Sequence, residues 1–261
     1  MAYTNSYKAP DNPSLLPGYY GPDPYDINWM MPLHEATLES DRVKLTPFVP
    51  SLHAKEYARQ VAAHPELHRY IPFDVSSLDK ILTVFEQLMR QQPTNILFAV
   101  IDKAHDGGAL AGVIGLLHTS ATNLSAEIAW VLVFPAFQRT YVTTNAVGLL
   151  LRYCLELPNA APQQPERERP VGLGFRRVQW TTHLGNRASR MTAQRMGFKE
   201  EGVLRWTWVL PEGMEGNGIA VRDGDPESAR PGIAWGAKAT PFALAAERLD
   251  ALANEPAIVN D

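Results

Sequence analysis

Cysteine is almost absent from this chain of 261 residues: Cys154 is the only one, so no intrachain disulfide can form and a disulfide-stapled scaffold is excluded. Long apolar runs are missing as well. No stretch reaches the roughly 20 residues that cross a bilayer, and Met1 to Pro24 lacks the basic and apolar regions of a signal peptide, so the expectation is a cytoplasmic protein with no membrane partner. Charge of one sign is scarce too. A net charge of −4 leaves no basic footprint, and no nucleic-acid partner is expected. His, Cys and acidic residues show no metal-ligand spacing, which argues against a metal site. What is present is 45% hydrophobic residues, enough to bury one sizeable core.

Residues 1–38 are proline-rich with little periodicity and read as an extended arm; Trp29, Met30 and Met31 suggest that it wraps the domain. The folded domain is expected over 39–211. Val43 to Phe48 predicts a strand, Ser51 an N-cap, and Leu52, Tyr57 and Val61 an amphipathic helix. Leu78, Ile81, Leu82, Phe85, Leu88 and Met89 recur at helical spacing from about Ser77. Ile96 to Ile101, Leu110 to His118 and Ala126 to Phe134 predict an antiparallel meander, with a turn at Asp106-Gly107-Gly108. Val142 to Leu155 reads as a helix, 158–170 as a surface insertion, Arg176 to Thr182 as a strand, Arg187 to Met196 as a helix and Val203 to Leu210 as a strand. Residues 212–261 are expected to form a loop and a terminal helix, Phe242 to Leu252, packed on the domain. This order implies a mixed α/β (α+β) fold with a largely antiparallel sheet.

The segment Phe134-Pro-Ala-Phe-Gln-Arg-Thr-Tyr-Val-Thr-Thr-Asn-Ala-Val147 carries the most chemical information. An apolar strand runs through a polar turn straight into an apolar helix, and the first turn of any helix presents unpaired N–H groups and partial positive charge. With Arg139 and several threonines there, the junction is a cradle for phosphate, so a phosphorylated ligand is expected. Further on, Gly185-Asn-Arg-Ala-Ser-Arg-Met-Thr-Ala-Gln-Arg-Met-Gly-Phe198 gives strand end, Asn, short helix and Gly-Phe.

Together these segments resemble the GNAT N-acetyltransferases, and within them the branch that acetylates ribosomal-protein N-termini and small-amine relatives. Asn186, Ser189, Gly197 and Phe198 match that branch's second motif, and the resemblance spans about residues 40–210. It implies a GNAT fold: a mostly antiparallel sheet of six to seven strands, with a splayed central wedge flanked by helices. Acetyl-CoA is implied as co-substrate. Its pyrophosphate would be held at Gln138, Arg139, Thr140, Tyr141, Val142, Thr143 and Thr144, and its pantetheine by the amides of Leu132 and Val133 and by Asn186. The chain departs from the family in carrying Tyr141 and Thr143 where small residues are usual. Glu127 matches the family's base within Ala126-Glu-Ile-Ala-Trp130, and Ser189 is placed to serve the departing sulfur.

The residues by themselves also allow quieter roles: a helix cap for Asn186, a solvent hydroxyl for Ser189, an outward carboxylate for Glu127 and ordinary packing for Trp206 and Trp208, which could otherwise wall an acceptor pocket. His118 and His183 lie near strand ends from which they could reach the wedge, with surface or core packing as their quieter role, and Tyr153 and Cys154 fall on the core face of their helix. The function expected is acetyl transfer to a primary amine of a small molecule or amino acid. A protein α-amine acceptor and a non-catalytic acyl-CoA sensor stand as alternatives, and a homodimer is possible.

Overall fold

The computed structural model describes residues 17–104, 107–158 and 171–204, together with the backbone of 239–245. The continuous apolar run from Ile96 to Ile101 forms most of β2 (Ile96–Asp102), buried on both faces as such a run must be. It pairs antiparallel with β1 (Val43–Pro47) and β3 (Ala109–Ser120), and β3 pairs with β4 (Ser125–Val133). β5 (Arg177–His183) then lies parallel to β4, and β6 (Lys199–Glu200) and β7 (Ala239–Ala245) complete a sheet of seven strands ordered β1-β2-β3-β4-β5-β7-β6.

One face carries α3 (Val142–Leu155) and α4 (Arg187–Arg195) over a core that includes Phe98, Ile114, Val147, Leu150 and Trp180. The other carries α1 (Pro50–Ala63) and α2 (Leu78–Phe85), with Tyr57, Ile81, Phe85, Trp130 and Phe134 between helices and sheet. Ser77 caps α2 by accepting the Lys80 N–H, and the helix continues as one π-turn, Glu86–Arg90, which keeps Met89 buried. Cys154 sits in the first core, where burial pushes its thiol pKa far up, so it serves packing. The described part of the N-terminal stretch lies across the domain: Asn28 Nδ2 donates to the Arg90 carbonyl at 2.8 Å, and Tyr153 Oη donates to the Pro32 carbonyl at 2.6 Å.

Two expectations change, and a third cannot be followed through the described residues. The helix expected at Phe242 is extended in its first residues: β7 fills the open edge of β5, and seven backbone positions paired along β5 outweigh the run's helical propensity. Ser51 is no cap. α1 begins at Pro50, whose fixed φ and missing N–H suit a first helical position, and the Val49 N–H is bound instead by His53 Nδ1 at 2.9 Å. The strand expected at Val203 to Leu210, with Trp206 and Trp208, lies outside the described residues apart from Val203 and Leu204, and so does most of 212–261.

Candidate active site

β4 is paired on its two sides unequally. With β3 it runs the full length to Val133, whereas with β5 it pairs only over Ser125–Ile128. The divergence begins at a bulge. Trp130 and Val131 together face Ile114, and Trp130 has φ +53°, a left-handed conformation that costs a bulky residue roughly 1–3 kcal/mol. The surrounding contacts hold it there: the indole stacks on Phe73 at 5.4 Å, meets Phe85 edge-on at 5.4 Å and donates to Tyr57 Oη at 3.1 Å. Tyr57, having accepted that bond, has its own proton free for His68 Nε2 at 2.9 Å.

Beyond Ile128 the two strands part, and a cleft of about 380 Å³ opens between them. Its wall from the α1–α2 loop consists of Tyr70, Ile71, Pro72 and Phe73. Leu88, Leu117 and Trp130 extend the apolar side, and Glu127, His118, Gln179, Asn186 and Ser189 supply the polar groups. Tyr70 stacks on His183 at 5.1 Å across the mouth, and burial lowers the pKa of His183.

The turn after β4 presents the expected donors. Gln138 Nε2 donates to the Val133 carbonyl at 2.9 Å, which folds the turn back on the strand end. Arg139 stands at φ +61°, and the N–H groups of Arg139, Thr140, Tyr141, Thr143 and Thr144 have no acceptor among the described residues. Arg139, Thr140 and Tyr141 precede α3 and Thr143 and Thr144 lie in its first turn, so the helix dipole adds to all of them. Tyr141 does not cover the turn: its hydroxyl donates to Asp102 Oδ1 at 2.6 Å, with the Arg42 guanidinium 5.0 Å over its ring. Three expected donors are corrected. The Gln138 N–H donates to the Pro135 carbonyl at 3.2 Å, while its side chain is turned back to Val133. The Val142 N–H is taken by Thr140 Oγ1 at 3.2 Å. The Phe134 N–H donates to Ala111, and the alternation of an antiparallel ladder then turns the Leu132 N–H toward β3, leaving that of Val133 facing the wedge.

On α4, Asn186 Oδ1 accepts the Ser189 N–H at 3.1 Å, so it caps the helix while lining the cleft. Ser189 Oγ accepts the Trp180 indole N–H at 2.9 Å, which fixes the oxygen and leaves its own proton for a ligand. Glu127 is 9% exposed, and its Oε2 lies 3.0 Å from His118 Nδ1 and 3.5 Å from Gln179 Nε2. That hydrogen bond raises the His118 pKa. His118 was only loosely placed by the sequence, as a histidine near a strand end; a His nine residues before a strand Glu, across a short turn, was the available signal.

The sequence matches the model of the acetyltransferase (GNAT) domain over residues 42–199, more than half the chain. The chain belongs to the GNAT acetyltransferase family. This GNAT protein is therefore an acetyl-CoA-dependent N-acetyltransferase, and its splayed β4–β5 pair and open amides fit that co-substrate. No curated protein matches it significantly. Among solved structures it is similar to a probable GNAT acetyltransferase from Chromobacterium violaceum, at 23% identity and TM-score 0.63, covering 94% of this chain and 100% of that one. It is also similar to spermidine N-acetyltransferase from Vibrio cholerae, in complex with CoA and spermine, at 12% identity and TM-score 0.53, covering 80% and 98%. A third is the Salmonella typhimurium acetyltransferase that modifies the N-terminal serine of ribosomal protein L7/L12, at 15% identity and TM-score 0.53, covering 79% and 96%. At these identities the likeness concerns the fold. Among the described residues no helix is long and apolar enough to cross a membrane.

Proposed function

We propose that this GNAT enzyme acetylates the primary amine of a small molecule with a largely apolar body. The carrying observation is the cleft itself: about 380 Å³, one carboxylate, and a wall of Ile71, Pro72, Phe73, Leu88, Leu117 and Trp130. Such a volume suits a small ligand, and the apolar wall would take its body while Glu127 receives the ammonium. Binding of spermine by the Vibrio cholerae enzyme shows what this fold can accept, but a polyamine calls for several anions and Glu127 is the only acidic residue of the described lining.

The N–H groups of Arg139, Thr140, Tyr141, Thr143 and Thr144, with the Arg139 guanidinium, would hold the pyrophosphate; the Val133 N–H and the Asn186 side chain would hold the pantetheine. Acetyl-CoA supplies the activated acetyl group. Glu127 would supply the negative charge that draws the ammonium in and helps carry off its proton, and the wedge-facing amides beside the Trp130–Val131 bulge would face developing negative charge. Ser189, with its oxygen fixed by Trp180, keeps a hydroxyl proton for the departing sulfur.

Thiol release from acetyl-CoA, measured across hydrophobic monoamines, amino acids, polyamines and short peptides, tests the reading. Turnover is expected to be highest with the hydrophobic monoamines. Preference for polyamines would remove the acceptor class, and preference for peptides would establish the protein α-amine reading in its place.

A further inference from the structure

We propose that the imidazole of His118, held by Glu127, is the group that takes the proton from the acceptor ammonium. This rests on the acetyl-transfer reading and divides the work of the two residues. The backbone at His118 is the first reason. It occupies φ +52°, in a bulge that inserts an extra residue into β3 between Leu117 and Ser120. A left-handed conformation is uncommon outside glycine, although histidine takes it more readily than most, and it persists where its surroundings favour it. Here they do: the His118 N–H donates to Asn95 Oδ1 at 2.9 Å, and Asn95, 3% exposed, is locked by donating through Nδ2 to the Leu88 carbonyl at 2.7 Å. Leu117 is the register partner of Glu127, so regular alternation would send the next side chain to the opposite face. The bulge brings the imidazole back to the carboxylate.

The second reason is which atoms remain available. With Glu127 ionised, His118 Nδ1 is the donor in their 3.0 Å contact, so Nε2 carries the lone pair of the neutral ring. His118 lines the cleft with its side chain 58% exposed, whereas that of Glu127 is 11% exposed with Oε2 already engaged. The imidazole can therefore receive a proton on the cleft side and release it to water. In the step, an N–H bond of the ammonium breaks, the electron pair stays on nitrogen as the nucleophile, and an Nε2–H bond forms. The imidazolium is stabilised by Glu127 until water removes the proton. The other titratable groups lining the cleft are His183 and Tyr70; Gln179 and Asn95, which also touch the pair, are neutral. Glu127 is the one group whose charge raises the His118 pKa, and a raised pKa brings a base nearer to working pH.

The test pairs pH–rate profiles with proton titration of the His118 ring by NMR in the cofactor-free protein. In wild type, kcat/KM should rise on the acid side through one ionisation that matches the ring titration. His118→Gln should lose that limb and fall about 10²-fold at neutral pH, and His118→Ala should be partly rescued by added imidazole. Glu127→Gln should retain the limb but move it, and the ring titration, to lower pH. A limb unmoved in His118→Gln and abolished in Glu127→Gln would make Glu127 the base and overturn the proposal, as would a ring titration unchanged in Glu127→Gln. Absence of thiol release by wild type with every amine and at every pH would instead remove the acetyl-transfer reading, while the ring titration still reports on the pair.

Discussion

The turn at 134–144 and the cleft at the β4 bulge are joined through the end of β4, yet they are built differently. The turn is one stretch of consecutive residues whose open donors are main-chain amides, with Arg139 as the charged side chain on its surface. The cleft assembles side chains from the α1–α2 loop, β3, β4, β5 and α4, and each matters for its chemical identity. A backbone site needs only the right conformation. That is why Tyr141 and Thr143 can stand where small residues are usual: the Tyr141 ring is drawn off to Asp102 and the amides stay open. Substitutions should accordingly alter affinity at the turn and rate in the cleft.

The substitution that should erase this contrast is Gly112→Val. A Cβ at Gly112 would lie 2.1 Å from the Leu132 carbonyl oxygen and 2.9 Å from Val133 Cα, where the partner is backbone and cannot step aside. β3 and β4 would be forced apart at the root of both regions, at a cost on the order of 3 kcal/mol. Thermal unfolding should show a large drop in midpoint, and CoA binding and turnover should fail together. Retention of either one alone would mean that the two regions do not share this strand pair as a foundation.

Acid should act from the cleft side. His68, behind the cleft wall, is held neutral by burial with its pKa lowered from 6.5 to about 4. Its Nε2 accepts from Tyr57, so a second ring proton would upset the chain that runs to Trp130. At pH 7 the folded and unfolded chains are both neutral at this site. Below 6.5 the unfolded chain takes up a proton that the folded one refuses until about pH 4, so stability falls through that window by up to about 3 kcal/mol. Denaturant unfolding at several pH values should show the loss, and His68→Gln should flatten it; an identical slope in that variant would show that other groups drive the decline.

Inside the cleft, Glu127→Gln should lower kcat/KM by about 10²-fold at neutral pH, since both the attraction for the ammonium and the orientation of His118 are lost. CoA affinity by calorimetry should hardly change, because the turn donors lie outside the cleft lining. A matching loss of CoA affinity would show that Glu127 acts on the cofactor side.

What the sequence disclosed follows the same division. The strand–turn–helix, the Asn186 motif and Glu127 were legible because each depends on neighbours in sequence: an amide fan on consecutive residues, a cap on the residue three later, a carboxylate on the alternation of one strand. The His118–Glu127 pair was not, since strict alternation predicts the wrong face and only a bulge pinned by Asn95 corrects it. The Leu132 and Val142 donors failed for a similar reason. Which way an amide points is decided by β3 in one case and by the Thr140 hydroxyl in the other. β7 was misread because its strand state is imposed by β5, distant in sequence.

The turn itself yields the finest contrast, between a side chain that stands open and one that braces. Arg139 is exposed and has no partner among the described residues, so Arg139→Ala should leave stability unchanged and weaken CoA binding by about 1.5 kcal/mol, roughly tenfold, with kcat intact. Added salt should shrink that difference by screening the exposed charge. Thr140 instead works within the protein, donating to the Phe137 carbonyl at 2.7 Å and accepting the Val142 N–H at 3.2 Å. Thr140→Ala removes both bonds and should cost about 0.5–1 kcal/mol of stability. Yet it releases the Val142 N–H toward the anion, so CoA affinity should hold or rise slightly while the unfolding midpoint falls. Opposite signs in calorimetry and thermal unfolding for this one variant would mark the turn as a backbone site; a parallel loss in both would make the Thr140 hydroxyl itself a ligand of the phosphate.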